Sequence, residues 1–132
     1  MAEAALGMWI VTALGGTYLF LFTTDAHRPE AGSPTTALSP FLLFVHPLVA
    51  LVGIAMWIAH LQLRDDVLPW LGLADLLVGA ALGEVLLART LRGARQGPVR
   101  SEDRMPRPAI ALHGVLAAVT ILLVLLVALG VD

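Results

Sequence analysis

The sequence predicts an all-α integral membrane protein, a four-helix up-down-up-down bundle in which residues 1–132 form a single transmembrane domain. The chain is 58% hydrophobic and only 14% charged, whereas soluble domains are about 45–50% apolar and 25% charged. Its apolar residues gather into four continuous runs of about 20 residues, the length that crosses a hydrocarbon core of roughly 30 Å. Short connections join the runs, so consecutive helices are expected to lie antiparallel. The composition also excludes a disordered chain.

The first two spans are predicted over residues 4–23 and 41–63. The first contains no charged residue, and we expect it to remain in the protein as a helix. The second carries His46 and His60 as its only ionisable side chains. The dipeptide Ser39-Pro40 precedes the second span, where serine suits an N-cap and proline suits a first helical position. Both runs are continuous rather than alternating, which favours helices over the strands of a membrane β-barrel.

The third and fourth spans are predicted over residues 68–88 and 109–131. Each begins near a proline, as the second span does. The third span contains Asp75 and Glu84, and the fourth contains His113. Backbone polar groups within lipid must find their partners inside the segment, so these runs too are expected to be helical.

Arginine predicts the orientation of the bundle in the membrane. Six of the eight arginines lie in or beside the connection between spans three and four: Arg89, Arg92, Arg95, Arg100, Arg104 and Arg107. The positive-inside rule places the arginine-rich 91–107 loop in the cytoplasm and both termini outside. The chain lacks lysine and is rich in Ala, Leu, Val, Gly and Arg, a bias that predicts a bacterial source and therefore a multi-pass protein of the cytoplasmic (inner) membrane.

Ionisable residues inside the spans are the candidates for function, because each costs about 2.5–3.5 kcal/mol at mid-membrane on insertion scales. Spans two and four run in the same direction. His46 lies five residues after Phe41, and His113 lies five residues after Pro108. Each histidine is thus about 8 Å inside the same membrane face. Because spans two and four are diagonal in a simple bundle, the two imidazoles are expected to meet across the core.

Two facing imidazoles on diagonal helices are typical of a haem iron with two axial histidine ligands. Gly53 follows His46 by seven residues and shares its stripe on the helix, where it would leave room for a macrocycle. We therefore expect His46, His113 and Gly53 to bind haem b, and electron transfer to be the function. This assignment leaves open whether the protein is an enzyme, and it names no catalytic residue.

The spacing of the histidines resembles that of membrane b-type cytochromes. His46 and His60 lie fourteen residues apart on one helix, and a parallel helix supplies His113. One four-helix half of haem A synthase is similar, with histidines on its second and fourth helices. The chain departs from this pattern in two places. Val127 stands fourteen residues after His113, and the stretch 41–45 lacks the glutamate that precedes the second-helix histidine. The resemblance therefore implies one haem, and it implies no farnesyl-haem chemistry.

Two other classes of function remain open at this stage. His46, His113 and Glu84 form a donor set that suits a non-haem zinc or iron ion, and the same residues could handle protons. The bundle could also be a cofactor-free accessory subunit of a membrane complex. The expected partners are the lipid bilayer, a quinone or a redox protein, and a second copy in a homo-oligomer. Nucleic acid is excluded because the net charge is −2 and no basic module is present.

A secondary or proton-handling site is expected from His60, Asp75 and Tyr18. Asp75 lies near the level of His60, so a hydrogen bond between them is predicted. Tyr18 reaches the depth of His46, where it would join the same polar layer. Asp75 and Glu84 are nine residues apart, half a turn out of phase, so only one of them can face a narrow core.

Two further patterns concern packing. Trp9, Trp57 and Trp70 fall toward the outer ends of their spans and predict an aromatic belt at the membrane interface. Gly79 and Gly83 form a small-xxx-small pattern on the third span, which permits close contact with a neighbouring helix.

Overall fold

The computed structural model describes residues 1–24, 38–93 and 105–131. These form four helices: α1 (Ala2–Thr24), α2 (Pro40–Leu63), α3 (Leu68–Gly93) and α4 (Arg107–Ala128). All four are long and apolar enough to cross a membrane, and no strand occurs in these three ranges. The predicted all-α membrane four-helix bundle is therefore confirmed. Arg95, Arg100 and Arg104 lie outside the described residues, and the cytoplasmic placement of the 91–107 loop remains a prediction.

The last two helices differ from their predicted bounds. Helix α3 continues to Gly93, five residues past the end of the apolar run, because no proline interrupts it there. Helix α4 ends at Ala128 rather than at Val131. Gly130 adopts a left-handed φ of 75°, and its N–H donates to the carbonyl of Val127 at 2.9 Å while Val131 donates to Leu126 at 2.9 Å. This is a Schellman motif, which ends a helix by satisfying its last carbonyls.

The helices form a ring in which each packs against the next along the chain and α4 closes against α1. Helix α2 packs more extensively against α3, and α1 against α4, than α1 does against α2 or α3 against α4. Helices α2 and α4 therefore lie across the diagonal of the bundle, as predicted, and each belongs to a different closely packed pair.

A compact turn joins α2 to α3. Arg64 has a left-handed φ of 53° and caps α2 by donating its N–H to the carbonyl of His60 at 2.8 Å. The Asp65 side chain then accepts from the N–H groups of Val67 at 2.8 Å and Leu68 at 3.2 Å. These bonds satisfy two of the free donors at the start of α3, so the turn sets α2 and α3 antiparallel.

Two tryptophans form the centre of the packed core. Trp9 is 1% exposed and Trp57 is fully buried, with ring centroids 6.0 Å apart. The Trp57 indole N–H donates to the carbonyl of Ala2 at 3.0 Å, and its ring lies against Gly72. The predicted aromatic belt is thus wrong for these two residues, because glycines on the facing helices leave space for their rings inside the bundle. Trp70 is 48% exposed and fits the belt.

Candidate functional site

The structure brings His46 of α2 and His113 of α4 together across the diagonal of the bundle. Their ring centroids are 6.3 Å apart, and the ring planes are nearly perpendicular at 80°. Both side chains are partly buried. The matched depths of the two histidines along parallel helices account for this meeting, since both helices start at a proline-marked end on the same side.

The His113 ring is oriented by α1, the other helix of its pair. Its Nδ1 lies 3.1 Å from the carbonyl oxygen of Thr12. A carbonyl only accepts, so Nδ1 carries the hydrogen and Nε2 keeps its lone pair. The ring packs against Gly15 and Gly16, and a Cβ on Gly16 would lie 3.0 Å from His113 Cε1. Two glycines on α1 therefore leave the space that this imidazole occupies.

The His46 ring is seated in the same way by α3. A Cβ on Gly83 would lie 3.3 Å from His46 Cε1. Nδ1 of His46 is buried and makes no hydrogen bond of good geometry within the described residues. Gly79 also packs on α2, because a Cβ built at this glycine would lie 3.7 Å from a methyl group of Val49. The predicted small-residue contact of α3 is confirmed, and α2 is the helix it meets.

A pair of buried threonines extends this polar region along the α1/α4 contact. The hydroxyls of Thr12 and Thr120 are 3.0 Å apart. Each also approaches a carbonyl four residues back, Met8 at 2.9 Å and Leu116 at 2.8 Å. Thr12 thereby contacts Thr120 with its side chain and His113 with its backbone. Sequence reasoning missed this pair, although two threonines within apolar spans were the available signal.

Glu84 and Tyr18 do not belong to the site. Gly83 faces His46, and the next residue on a helix is rotated by about 100°, so Glu84 lies exposed on the outer side of α3. Tyr18 is 50% exposed and packs edge-on against Phe22. No cluster of three or more histidine, aspartate or glutamate side chains with metal-binding geometry occurs among the described residues. The structure does not bring Glu84 to the two histidines, and a metal site formed by all three residues remains a prediction.

Gly53 does not border the histidine pair. It lies about 10 Å along α2 from His46, at seven residues and 1.5 Å per residue. The space beside Gly53 is occupied by the carboxylate of Asp75 from α3 and the indole of Trp9 from α1. Two side chains of the protein itself occupy the space that Gly53 leaves, and a role for Gly53 in cofactor binding remains a prediction.

His60 and Asp75 do not form the predicted hydrogen bond. Nδ1 of His60 donates instead to the backbone carbonyl of Asp65 at 2.9 Å, within the turn that joins α2 to α3. Its ring also lies beside Trp57, with centroids 5.3 Å apart. His60 is thus part of the turn, and Asp75 points to Gly53.

Comparison of the chain with protein-family models, curated proteins and solved structures gives no match in any of the three.

Proposed function

We propose that the protein is a membrane b-type haem protein that transfers electrons, with His46 and His113 as the two axial ligands. The separation of the two rings carries the proposal. Metal–imidazole nitrogen bonds are about 2.0–2.1 Å long, and each ring centroid lies roughly 1 Å beyond its nitrogen. A metal held between two imidazoles therefore sets their centroids about 6 Å apart, and the observed separation is 6.3 Å.

The number of protein donors favours haem over a bare metal ion. A zinc site needs three or four protein ligands, whereas the two imidazoles have no third histidine or acidic donor beside them in the described part of the chain. A haem iron is held by the four nitrogens of its macrocycle and needs only axial ligands from the protein. Two histidines without a carboxylate are a complete axial set for that group.

The surroundings of the rings suit axial ligation. In metal sites the second ring nitrogen of a ligating histidine almost always donates to a carbonyl or carboxylate, which fixes the tautomer and the ring orientation. Nδ1 of His113 makes such a bond to the Thr12 carbonyl, which leaves Nε2 for the metal. Gly16 and Gly83 support the two rings from behind.

The division of the bundle into two helix pairs also supports the proposal. His113 belongs to the α1/α4 pair and His46 to the α2/α3 pair. The contacts between the pairs are less extensive than those within them, so the two proposed ligands face each other where the bundle is less closely packed. A haem bound between the rings supplies one-electron chemistry. The chain orients the two imidazoles and surrounds them with apolar helices, which keep bulk water from the site. The electron partner we propose is a quinone in the bilayer or a redox protein. A second copy of the chain, in a homo-oligomer, is a further proposed partner.

A reduced-minus-oxidised visible spectrum of the purified protein tests the proposal. After expression with adequate haem, we expect a Soret band and an α band typical of a six-coordinate b-type haem. Their absence would overturn the proposal. Bound zinc or iron in elemental analysis, without haem absorbance, would point instead to a non-haem metal at the two histidines.

A further inference from the structure

A second polar cluster lies about two helical turns from the histidine pair, where three helices meet at Gly53. This glycine of α2 is buried. A Cβ at this position would overlap the Oδ2 atom of Asp75 and the six-membered ring of Trp9, with Trp9 Cη2 at 2.8 Å. The absence of a side chain on α2 therefore allows a carboxyl group from α3 and an indole from α1 to share one space.

The cluster holds two buried polar atoms that make no hydrogen bond within the described residues. These are Oδ2 of Asp75, an acceptor when ionised, and Nε1 of Trp9, a donor. The Trp9 side chain is 99% buried, since only 1% of it is exposed. Buried polar atoms are rarely left without a partner. An unpartnered acceptor beside Gly53, and an unpartnered donor on the indole whose six-membered ring lies at the same glycine, therefore indicate a site rather than ordinary packing.

Within the described residues, the Asp75 carboxyl has no ion pair, and its Oδ2 atom has no hydrogen bond. The Trp9 indole shares the space at Gly53 with this carboxyl, and neither Trp9 nor Gly53 ionises. The nearest ionisable residues on α2 are His46 and His60, each seven residues from Gly53 and thus about 10 Å along the helix. Helix α4 has no ionisable residue after His113. In the part of the chain that the structure describes, Asp75 therefore has no cation beside it to stabilise its ionised form.

An isolated carboxylate in a membrane interior is costly, and such a group becomes neutral by taking up a proton. A metal cation is a poor alternative, because hard cations take about six or more oxygen ligands and this cluster offers one carboxyl group. The proton is the cation that a single carboxyl group binds unaided.

We propose that Asp75 is a proton-binding site within the bundle, in which the carboxyl group is protonated at neutral pH and the Trp9 N–H stabilises the carboxylate whenever the proton leaves. The exchange is a simple equilibrium: the acid O–H bond breaks, the proton passes to water, and the electron pair stays on the carboxylate. The site depends only on the residues around Gly53, so it stands apart from the haem proposal.

Labelling with dicyclohexylcarbodiimide, an apolar reagent that adds to protonated carboxyl groups, tests the site in the full-length protein in membranes. At pH 7 we expect mass spectrometry to find at least roughly tenfold more adduct on Asp75 than on Asp66. A tenfold ratio of protonated carboxyl groups corresponds to one pH unit. Asp66 is an exposed aspartate in the α2–α3 turn and is the matched internal control. Equal labelling of both residues, or labelling of Asp75 only after acidification, would overturn the proposal.

Infrared spectroscopy gives a second readout that needs no reagent. The C=O stretch of a protonated carboxylic acid is expected at pH 7 and should disappear in Asp75→Asn, a variant of nearly identical shape. A wild-type spectrum without that band would refute the protonated state even if the variant failed to fold.

The role of Trp9 is tested by Trp9→Phe, which removes the N–H and keeps an aromatic ring. Loss of a donor to the carboxylate disfavours the ionised form, so labelling of Asp75 should persist to higher pH than in the wild type. A merely structural tryptophan would leave the pH profile where it is, and that result would remove Trp9 from the site.

Discussion

The backbone carbonyl of Thr12 on α1 lies 3.1 Å from Nδ1 of His113 on α4. This bond crosses between two helices of one pair and determines which nitrogen of the ring remains free. In the proposed haem site, the free Nε2 would be the axial donor opposite His46, whose ring centroid is 6.3 Å away. A backbone acceptor cannot be removed by a side-chain substitution, so the contribution of this region is tested at the groups around it.

Removing either histidine is expected to abolish stable haem binding. His46→Ala and His113→Ala each delete one proposed axial ligand. We expect haem affinity to fall by more than the 10–100-fold that is typical when a residue hydrogen-bonded to a metal ligand is changed. The measurement is haem content per protein after purification, with the reduced-minus-oxidised spectrum. Glu84→Gln is the matched control, because Glu84 lies exposed on the outer side of α3. Unchanged haem in both histidine variants would contradict the assigned ligands.

A methyl group on Gly16 is expected to displace the His113 ring. The Cβ of Gly16→Ala would lie 3.0 Å from Cε1 of that ring, inside the optimal carbon–carbon separation of about 3.5–4.0 Å. We expect a shifted α band and weaker haem binding. Gly114→Ala is the control, since it adds the same methyl group beside His113 where no atom lies within 4 Å. Equal spectral effects of the two variants would argue against a specific contact between Gly16 and the His113 ring.

Gly53→Ala is expected to destabilise the bundle itself. The new Cβ would overlap the Trp9 ring and the Asp75 carboxyl, and overpacking of this kind costs about 1–3 kcal/mol. The free energy of unfolding in a denaturing detergent series measures the effect. Gly7→Ala adds a methyl group to α1 with nothing within 4 Å and should change stability little. A loss of haem at unchanged stability would instead indicate that Gly53 contributes to the cofactor site.

The sequence was sufficient for the four spans and for the histidine pair, and the reason is the same in both cases. Lipid demands about 20 apolar residues per span, so the spans can be counted directly. Position along a span then gives depth, and His46 and His113 have the same depth because α2 and α4 run in the same direction. Depth in the membrane can be read from residue number alone.

Rotation about each helix axis could not be read in this way. A soluble helix marks its buried face with an apolar stripe, but these four helices are apolar on all sides because lipid surrounds them. The sequence therefore did not indicate that Gly83 faces α2 while Glu84 faces outward, or that Trp9 points into the core. The surroundings of Gly53 could not be predicted for the same reason, because the residues that fill its space come from two other helices.

The hydrogen bond between Thr12 and Thr120 is expected to couple α1 to α4. The two hydroxyls are 3.0 Å apart and buried, and interhelical bonds in membrane proteins average about 0.6 kcal/mol, with a maximum near 1.7. A double-mutant cycle of Thr12→Val and Thr120→Val should give a coupling energy of about that average. Thr17→Val is a suitable control, because the Thr17 hydroxyl bonds only its own helix, at the carbonyl of Ala13. Strictly additive effects at positions 12 and 120 would refute the coupling.

The turn between α2 and α3 is expected to depend on Asp65. Its carboxylate accepts from two N–H groups at the start of α3, Val67 at 2.8 Å and Leu68 at 3.2 Å. Loss of such a cap costs about 1 kcal/mol, so Asp65→Ala should lower the free energy of unfolding by about that amount, whereas Asp65→Asn should recover most of it. Asp66→Ala removes the adjacent exposed carboxylate, and surface changes of this type stay within about 0.5 kcal/mol. If Asp65→Ala and Asp66→Ala destabilised the protein equally, the effect would arise from the charge of the turn and not from the cap.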